Sequence, residues 1–286
     1  MTDYVVYDVF TDEAFGGNPL AVIPDARDLA EDNLQRIARE FNFSETTFVF
    51  PPENADHDAR VRIFTPAQEI PFAGHPTIGT TLALADLGRV GPALVLELGV
   101  GPIPVTQSDG QARFATRVPL QTWPGPSAGV VAASTELAVQ DIRRDAHDPI
   151  IASVGLPFAI AEVTDRAALA RATPNFAAFR DFETHWPTSS HYDLLVYVRE
   201  GQGIYARMFA PLDGVPEDPA TGSAAAALSA LLGKLDGQSQ HFDITQGVEM
   251  GRPSRIHAEV IVEDGAPVEV AVSGSAVKVM EGRLTI

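Results

Sequence analysis

The sequence RIFTP at residues 62–66 returns as RMFAP at residues 207–211, and this repetition decides the fold. Each copy leads into a glycine-containing loop and then into an apolar run that ends in Leu-Gly. A weaker copy joins GNPLAV at 17–22 to GLPFAI at 155–160, in the same order along the chain. Two matches in the same order, with a shared loop and helix after one of them, predict a duplicated chain of two similar domains.

Apolar segments bounded by turn residues predict strands, and fewer segments have a helical pattern. Two of the helical segments, 77–87 and 223–232, are apolar on nearly every face, which is typical of an enclosed helix. Each half therefore resembles strands wrapped around one central helix, and the fold class is α+β. The predicted strands are 4–10, 20–23, 46–50, 61–64, 94–98, 193–198, 204–209, 257–262 and 268–272.

The stretch from Pro119 to Gly129 is rich in proline and glycine and is predicted to link the two halves. Proline stiffens such a segment, and we expect it to pack no core. The predicted first domain is 1–118, completed by a C-terminal strand at 277–286, and the predicted second domain is 119–276.

The charge and hydropathy of the chain argue against nucleic-acid and membrane functions. The 286 residues carry 20 Lys and Arg against 38 Asp and Glu, a net charge of −18 that would repel nucleic acid and anionic membranes. No apolar helical stretch approaches the roughly 20 residues that span a bilayer. The first residues lack the basic start of a signal peptide, so we expect a cytoplasmic protein.

Residue content also limits the chemistry. The absence of cysteine excludes disulfides, thiolate metal sites and thiol acid–base pairs. The sequence contains no HExxH pattern, and its glycine-rich stretches lack the GxGxxG and GxxxxGK[ST] patterns. We therefore expect no metal site and no nucleotide or dinucleotide cofactor.

Two glycine-containing loops each precede a predicted helix. In the first, Gly74 and His75 stand before Pro76, which is predicted to occupy the first helical position. In the second, Gly222 and Ser223 follow Asp218. Unpaired N–H groups at helix N-termini bind carboxylate or phosphate, so the pair of loops indicates an anion site. The alternative is that these residues only form tight turns and helix caps.

Glu45 lies within FNFSETTFVF at 41–50, a stretch that carries four phenylalanines. A half-buried carboxylate has its pKa raised by desolvation, as enzymes use it for acid–base work near neutral pH. The alternative is an exposed residue on the outer face of an amphipathic strand.

These motifs together resemble the PhzF-like, or phenazine biosynthesis, family. The segments that carry the resemblance are FGGNPLAV at 15–22, NFSET at 42–46, FAGHPTIG at 72–79, DPATGSA at 218–224, QG at 246–247 and GRPS at 251–254. The resemblance implies the diaminopimelate-epimerase fold: two pseudo-symmetric domains, each with a curved, mostly antiparallel β layer around a central helix, with the active site between them. Diaminopimelate epimerase itself uses two cysteines, which this chain lacks.

The resemblance also implies roles for individual residues. Glu45 would be the acid and base, His75 and Asp218 would position and polarise the substrate, and Ser223 with the Gly74 and Gly222 loops would hold its carboxylate. The implied activity is a cofactor-independent isomerisation of a small anionic metabolite, as with trans-2,3-dihydro-3-hydroxyanthranilate, by a homodimer. Two alternatives stay open: an amino-acid or hydroxy-acid epimerase or racemase, and a non-catalytic protein that binds a metabolite or partner.

Overall fold

The computed structural model describes residues 1–186 and 191–286. The chain divides into two compact units, Met1–Ala115 together with Val272–Ile286, and Thr116–Ala271. The predicted cuts after residues 118 and 276 lie a few residues beyond these points.

The described elements are mostly strands. As far as residue 116 they are β1 (Thr2–Val9), β2 (Asn18–Ile23), α1 (Glu31–Phe41), β3 (Glu45–Phe50), β4 (Ala59–Phe64), β5 (Glu69–Ile70), α2 (Gly74–Asp86), β6 (Ala93–Leu98), β7 (Gly101–Ser108) and β8 (Gln111–Thr116). They continue with β9 (Gln121–Pro124), α3 (Ala128–Thr135), β10 (Ile150–Ser153), β11 (Pro157–Glu162), α4 (Arg166–Arg171), α5 (Phe176–Glu183), β12 (Leu194–Glu200), β13 (Gly203–Ala210), β14 (Val215–Asp218), α6 (Gly222–Asp236), β15 (Gln240–Gln246), β16 (Ser254–Glu263) and β17 (Ala266–Leu284).

The two units repeat one strand order. In the first unit the ladders join β17, β1, β2, β3, β4, β6, β7 and β8 in that sequence. In the second they join β9, β10, β11, β12, β13, β15 and β16. The parallel pairs fall at equivalent places, β2 with β3 and β4 with β6 in one unit, β11 with β12 and β13 with β15 in the other. The remaining pairs are antiparallel, and the predicted α+β duplication is confirmed.

The sequence repeats lie on equivalent strands. RIFTP runs along the end of β4 and RMFAP along the end of β13, while GNPLAV and GLPFAI lie on β2 and β11. Each of β4 and β13 then turns into a short strand, β5 or β14, that leads to a helix. The repeated motif therefore marks the hairpin that aims the chain into each central helix.

One buried helix lies at the centre of each unit. Helix α2 contacts β1, β2, β3 and β7, and α6 contacts β10, β11, β15 and β16. Because β1 and β7 stand far apart in the ladder, the layer must curve around α2, and the same holds for β10 and β16 around α6. Both helices are buried along most of their length, at 74–84 and at nearly every residue of 222–233, as their apolar patterns predict.

Two local predictions are wrong. Helix α2 begins at Gly74, so Pro76 is its third residue rather than its first; proline fits there because first-turn N–H groups need no intrahelical acceptor. The stretch predicted as a linker contains β9, where Trp123 pairs with Ile151 and packs against the core of the second unit. Pairing with β10 outweighs the local turn signal of the flanking prolines.

Candidate active site

In the first unit, three residues that are distant in sequence meet at the start of α2. His75 lies in the first turn of the helix with its side chain only 4% exposed. Glu45 is the first residue of β3, and its Oε2 lies 3.3 Å from His75 Nδ1. Asn18 begins β2, and its Nδ2 is also 3.3 Å from that nitrogen. The parallel pairing of β2 with β3 brings Asn18 and Glu45 to the same end of the layer.

Glu45 is not an exposed residue of an outer strand face. Its side chain is 15% exposed, and the four residues that follow it in β3 are buried. The alternative that placed this carboxylate in solvent is therefore wrong. A mostly buried carboxylate beside an imidazole can exchange protons with a bound molecule in a site with little water.

The imidazole of His75 is neutral at physiological pH. Burial lowers the pKa of His75 from 6.5 to about 3, and a hydrogen bond with the backbone of Pro19 opposes the shift only in part. Glu45 Oε2 lies within ion-pair distance of Nδ1, but burial makes the uncharged ring the stable form, so the contact is not an ion pair.

The neutral imidazole of His75 is an acceptor at Nδ1. The Nδ2 of Asn18 can only donate, so its hydrogen bond requires the tautomer that is bare at Nδ1, and the 3.3 Å approach of Glu45 Oε2 does not have the geometry of a bond from an Nδ1–H donor. A protonated Glu45 could likewise donate to a bare Nδ1. The surroundings of Glu45 therefore suit both of its protonation states. The sequence motif GNPLAV contains Asn18, but no local signal singled it out.

In the second unit, Asp218 ends β14 and lies just before α6. The hydroxyl of Thr221 donates to Asp218 Oδ2 at 2.6 Å. Gln246, which is 1% exposed at the end of β15, donates from Nε2 to the backbone oxygen of Asp218 at 2.7 Å. Its Oε1 accepts from the N–H of Thr221 at 3.3 Å. Residues 218–221 are thus held by a buried amide from another strand, which sequence reasoning noted only as part of the QG motif.

A buried ion pair anchors the strand that carries Asp218. Arg207 on β13 binds Glu217 through two parallel hydrogen bonds of 2.8 Å each. Its remaining Nη1 donates to the backbone oxygens of Leu169, Ala170 and Ala172 at the end of α4. Every charged atom of this guanidinium has a partner, so the position of Glu217, and of the neighbouring Asp218, is tightly fixed.

The chain was compared with known proteins. The family model described as phenazine biosynthesis-like protein matches residues 7–282. An uncharacterised isomerase of Mesorhizobium japonicum is 42% identical, with 99% of each chain covered. The trans-2,3-dihydro-3-hydroxyanthranilate isomerase of Pseudomonas aeruginosa is 38% identical, again over 99% of each chain. A crystal structure of a PhzF-family protein of Bacillus anthracis has a TM-score of 0.86 at 26% identity, covering 100% of this chain and 99% of the other.

The chain belongs to the phenazine biosynthesis-like (PhzF) family. The predicted family is confirmed, and with it the prediction of an isomerase. The residues that the family motifs pointed to fall into two groups in this PhzF-family isomerase. Glu45 and His75 are in contact in the first unit, and Asp218 lies beside the first turn of α6, which holds Gly222 and Ser223, in the second.

The central helices of the PhzF-family chain begin differently from α3, α4 and α5. Helix α1 also lacks a capping side chain, but its first turn contains Glu31 and Asp32. Helices α3, α4 and α5 are capped by the side chains of Ser127, Asp165 and Asn175. The N-cap residues of α2 and α6, Ala73 and Thr221, make no side-chain cap hydrogen bond, and neither first turn contains an acidic residue. Thr221 therefore does not cap α6, because its hydroxyl is directed to Asp218. Both N-termini retain the partial positive charge that favours an anion.

No helix among residues 1–186 and 191–286 is long and apolar enough to cross a membrane. Within the same ranges, no group of three or more His, Asp or Glu side chains has the arrangement of a metal site.

Proposed function

We propose that this isomerase moves a proton between carbons of a small, carboxylate-bearing substrate, and that Glu45 carries the proton. The observation that supports this most directly is the mostly buried Glu45 carboxylate, 3.3 Å from a neutral imidazole. The P. aeruginosa relative is named for the isomerisation of trans-2,3-dihydro-3-hydroxyanthranilate. We propose a cyclic amino acid of this kind as the substrate class.

In the proposed reaction, the ionised Glu45 removes a proton from a carbon whose electrons can delocalise towards a conjugated carboxylate. The C–H electron pair enters the conjugated system, and Glu45 becomes a carboxylic acid. The same carboxylic acid then returns its proton to a different carbon, which restores the ionised Glu45. No atom or electron is gained or lost, so the reaction needs no redox partner.

His75 supports both halves of this cycle in the proposal. When Glu45 holds the proton, the bare Nδ1 of His75 lies 3.3 Å away and can accept from it; while Glu45 is ionised, the neutral ring adds no charge beside it. A charged imidazolium would instead stabilise the carboxylate strongly and weaken it as a base. The low pKa of His75, a consequence of burial, avoids this.

The start of each central helix is proposed to bind an anionic group such as the substrate carboxylate. Gly74 lies in the first turn of α2, and Gly222 with Ser223 in the first turn of α6, where neither N-cap residue supplies a capping side chain. Oriented N–H groups at these positions would stabilise the negative charge that develops on the substrate. Asp218 and His75 are each proposed to contact polar groups of substrate. That the substrate is a small anionic metabolite, that the protein forms a homodimer and that it is cytoplasmic stay predictions.

The experiment is a turnover assay with trans-2,3-dihydro-3-hydroxyanthranilate, without added metal, nucleotide or pyridoxal phosphate. We expect conversion by the wild-type protein and a loss of about 10²–10⁴-fold in kcat for Glu45→Gln, the usual contribution of one acid–base group. Glu40→Gln changes an exposed carboxylate on α1 and should keep wild-type activity.

Three results would count against the proposal. Near-native turnover by Glu45→Gln would remove Glu45 from the mechanism. A product that differs from the substrate only in the configuration of one carbon would show an epimerase or racemase. Tight binding of the substrate with no proton movement in the wild-type protein would show a binding protein.

A further inference from the structure

We propose that Thr221 and Gln246 are positioning residues that hold the Asp218 carboxylate in its ionised form, so that Asp218 receives hydrogen bonds and does not carry the proton. This inference rests on the proposed function in one respect, the contact between Asp218 and substrate. It deepens that function, because it separates a one-base isomerase from an enzyme with two alternating bases.

The orientation of the Gln246 amide follows from its partners. The backbone N–H of Thr221 can only donate, so the Gln246 atom 3.3 Å from it must be the oxygen. The backbone oxygen of Asp218 can only accept, so the atom 2.7 Å from it must be the nitrogen. Both requirements select the same orientation of the side chain.

The direction of the Thr221 hydroxyl then follows. The second N–H of Gln246 Nε2 points to Thr221 Oγ1 at 3.1 Å, so this oxygen acts as an acceptor there. Its own proton lies towards Asp218 Oδ2 at 2.6 Å, a length typical of a hydroxyl that donates to a charged carboxylate. A donor fixed in this way favours the ionised form of Asp218.

The charged groups around Asp218 agree with this assignment. Glu217, the preceding residue, is neutralised by Arg207 through two hydrogen bonds. Asp193 acts electrostatically on Asp218, but burial, with the charge of Asp213 and Glu183, raises the pKa of Asp193 well above its ordinary value. The raised pKa favours the neutral form of Asp193, which weakens its repulsion of an ionised Asp218.

The ionised state of Asp218 limits its role in the reaction. A second base that alternates with Glu45 must be protonated during part of each cycle. The proton on a protonated Asp218 would compete with the Thr221 hydroxyl, which already donates to this carboxylate. An ionised Asp218 instead suits an ammonium or hydroxyl group of the substrate. His75, by contrast, accommodates both protonation states of Glu45. Proton transfer therefore belongs to Glu45 in the first unit, and a permanent negative charge to Asp218 in the second.

The test is a ¹³C NMR titration of the Asp218 carboxyl carbon, assigned with Asp218→Asn. Thr221→Val removes the donor hydroxyl at nearly constant volume, and we expect the titration midpoint to move up by about one to two pH units. Thr221→Ser restores a hydroxyl and should return the midpoint towards that of the wild type. Thr135→Val is the control, because it removes a buried hydroxyl of the same unit that donates to Val131 and lies apart from the site.

An unchanged midpoint in Thr221→Val would overturn the inference. If that variant does not fold, Thr221→Ala provides the same comparison with a smaller side chain. The titration needs no turnover, so it still decides the inference when the wild-type protein fails to convert the proposed substrate and the proposed function is lost. Where turnover is present, Thr221→Val should shift the acidic limb of the kcat/KM profile to higher pH, and Thr221→Ser should rescue it.

Discussion

The starts of α2 and α6 are built from the same strand, hairpin and helix but surround their functional side chains differently. At α2, Glu45 faces a buried, uncharged imidazole whose Nδ1 can accept a proton. At α6, Asp218 accepts a hydrogen bond from the Thr221 hydroxyl, and the buried amide of Gln246 sets the direction of that hydroxyl. The duplicated backbone sets the positions of Glu45 and Asp218. The side chains around each carboxylate determine whether it is suited to proton transfer or remains ionised.

The ion pairs on the strands that precede the two central helices differ in their exposure to solvent. Arg62 on β4 binds Glu69 and Glu31, whose side chains are 42% and 70% exposed. Arg207, at the equivalent place on β13, binds Glu217 with side chains 7% and 14% exposed. The Arg207–Glu217 ion pair next to Asp218 is therefore buried, whereas the ion pairs of Arg62, in the unit that contains Glu45, are exposed to solvent.

The largest expected effect tests this difference in anchoring. Arg207→Met leaves the Glu217 carboxylate buried without its partner and should cost about 3–5 kcal/mol in the free energy of unfolding. Arg62→Met breaks an exposed network and should cost about 0–1 kcal/mol. Urea unfolding at neutral pH measures both. Equal losses for the two variants would show that the anchors do not differ.

A second effect concerns the turn that packs against the Asp218 loop. Gly247 has a φ of +75°, and a Cβ there would approach the backbone oxygen of Pro219 to 2.7 Å. Gly110 has a φ of +74° with no atom near the added carbon. Both substitutions by alanine should cost about 1–2 kcal/mol for the left-handed conformation. Gly247→Ala should cost about 1–3 kcal/mol more for the steric conflict.

Activity should separate these two glycine variants further. Gly247→Ala displaces Pro219, which follows Asp218, so its kcat/KM should fall while that of Gly110→Ala stays near wild type. Thermal unfolding and turnover of the two purified variants give the comparison. Equal stability and equal activity would mean that the 218–221 loop tolerates movement.

A further expected effect is the pH dependence of stability. Between the unfolded pKa of 6.5 and the folded pKa of about 3, the unfolded chain binds a proton that buried His75 does not. His75 therefore contributes stability at neutral pH that is lost as the pH falls from about 6.5 towards 3, by up to about 1.4 kcal/mol per pH unit. Stability measured from pH 7 to pH 4 should fall less steeply for His75→Gln than for wild type.

His191 provides the contrast of opposite sign in the second unit. A hydrogen bond with Glu183 raises the pKa of the partly exposed His191. Its contribution is present below the unfolded pKa and is lost as the pH rises through the higher folded value. His191→Gln should therefore lose stability mainly at acidic pH. Identical slopes for both variants and the wild type would contradict the two pKa shifts.

The sequence allowed the fold to be predicted because its repeated motifs lie where local pattern and tertiary structure agree. RIFTP and RMFAP end strands and lead to helices that are apolar all round, so both helices and both curved layers followed from pattern. The predicted strands omit several that the structure contains, among them β7, β8, β9, β10, β11 and β15. Strand β7 contains Pro102 and Pro104, and β9 lies in the proline-rich segment, yet both form because neighbouring strands pair with them.

The candidate site was predictable only in part, for a related reason. Glu45, His75 and Asp218 stood out by unusual context or by family motif. Asn18 and Gln246 are polar residues at strand ends, and their importance lies in contacts with His75, 57 residues away, and with Thr221, 25 residues away. No local pattern encodes such pairings, because they depend on which strands become neighbours after folding.

The most direct test of proton transfer by Glu45 is the reaction in D₂O, followed by NMR of substrate and product. The account predicts that wild-type protein delivers to the receiving carbon either the proton that Glu45 removed or, where the Glu45 carboxylic acid exchanges with solvent first, deuterium. Glu45→Gln should show neither process above a background about 10²–10⁴-fold lower, while Asp218→Asn should keep exchange at a reduced rate. Exchange at the wild-type rate in Glu45→Gln, together with its abolition in Asp218→Asn, would place the proton on Asp218 and contradict the account.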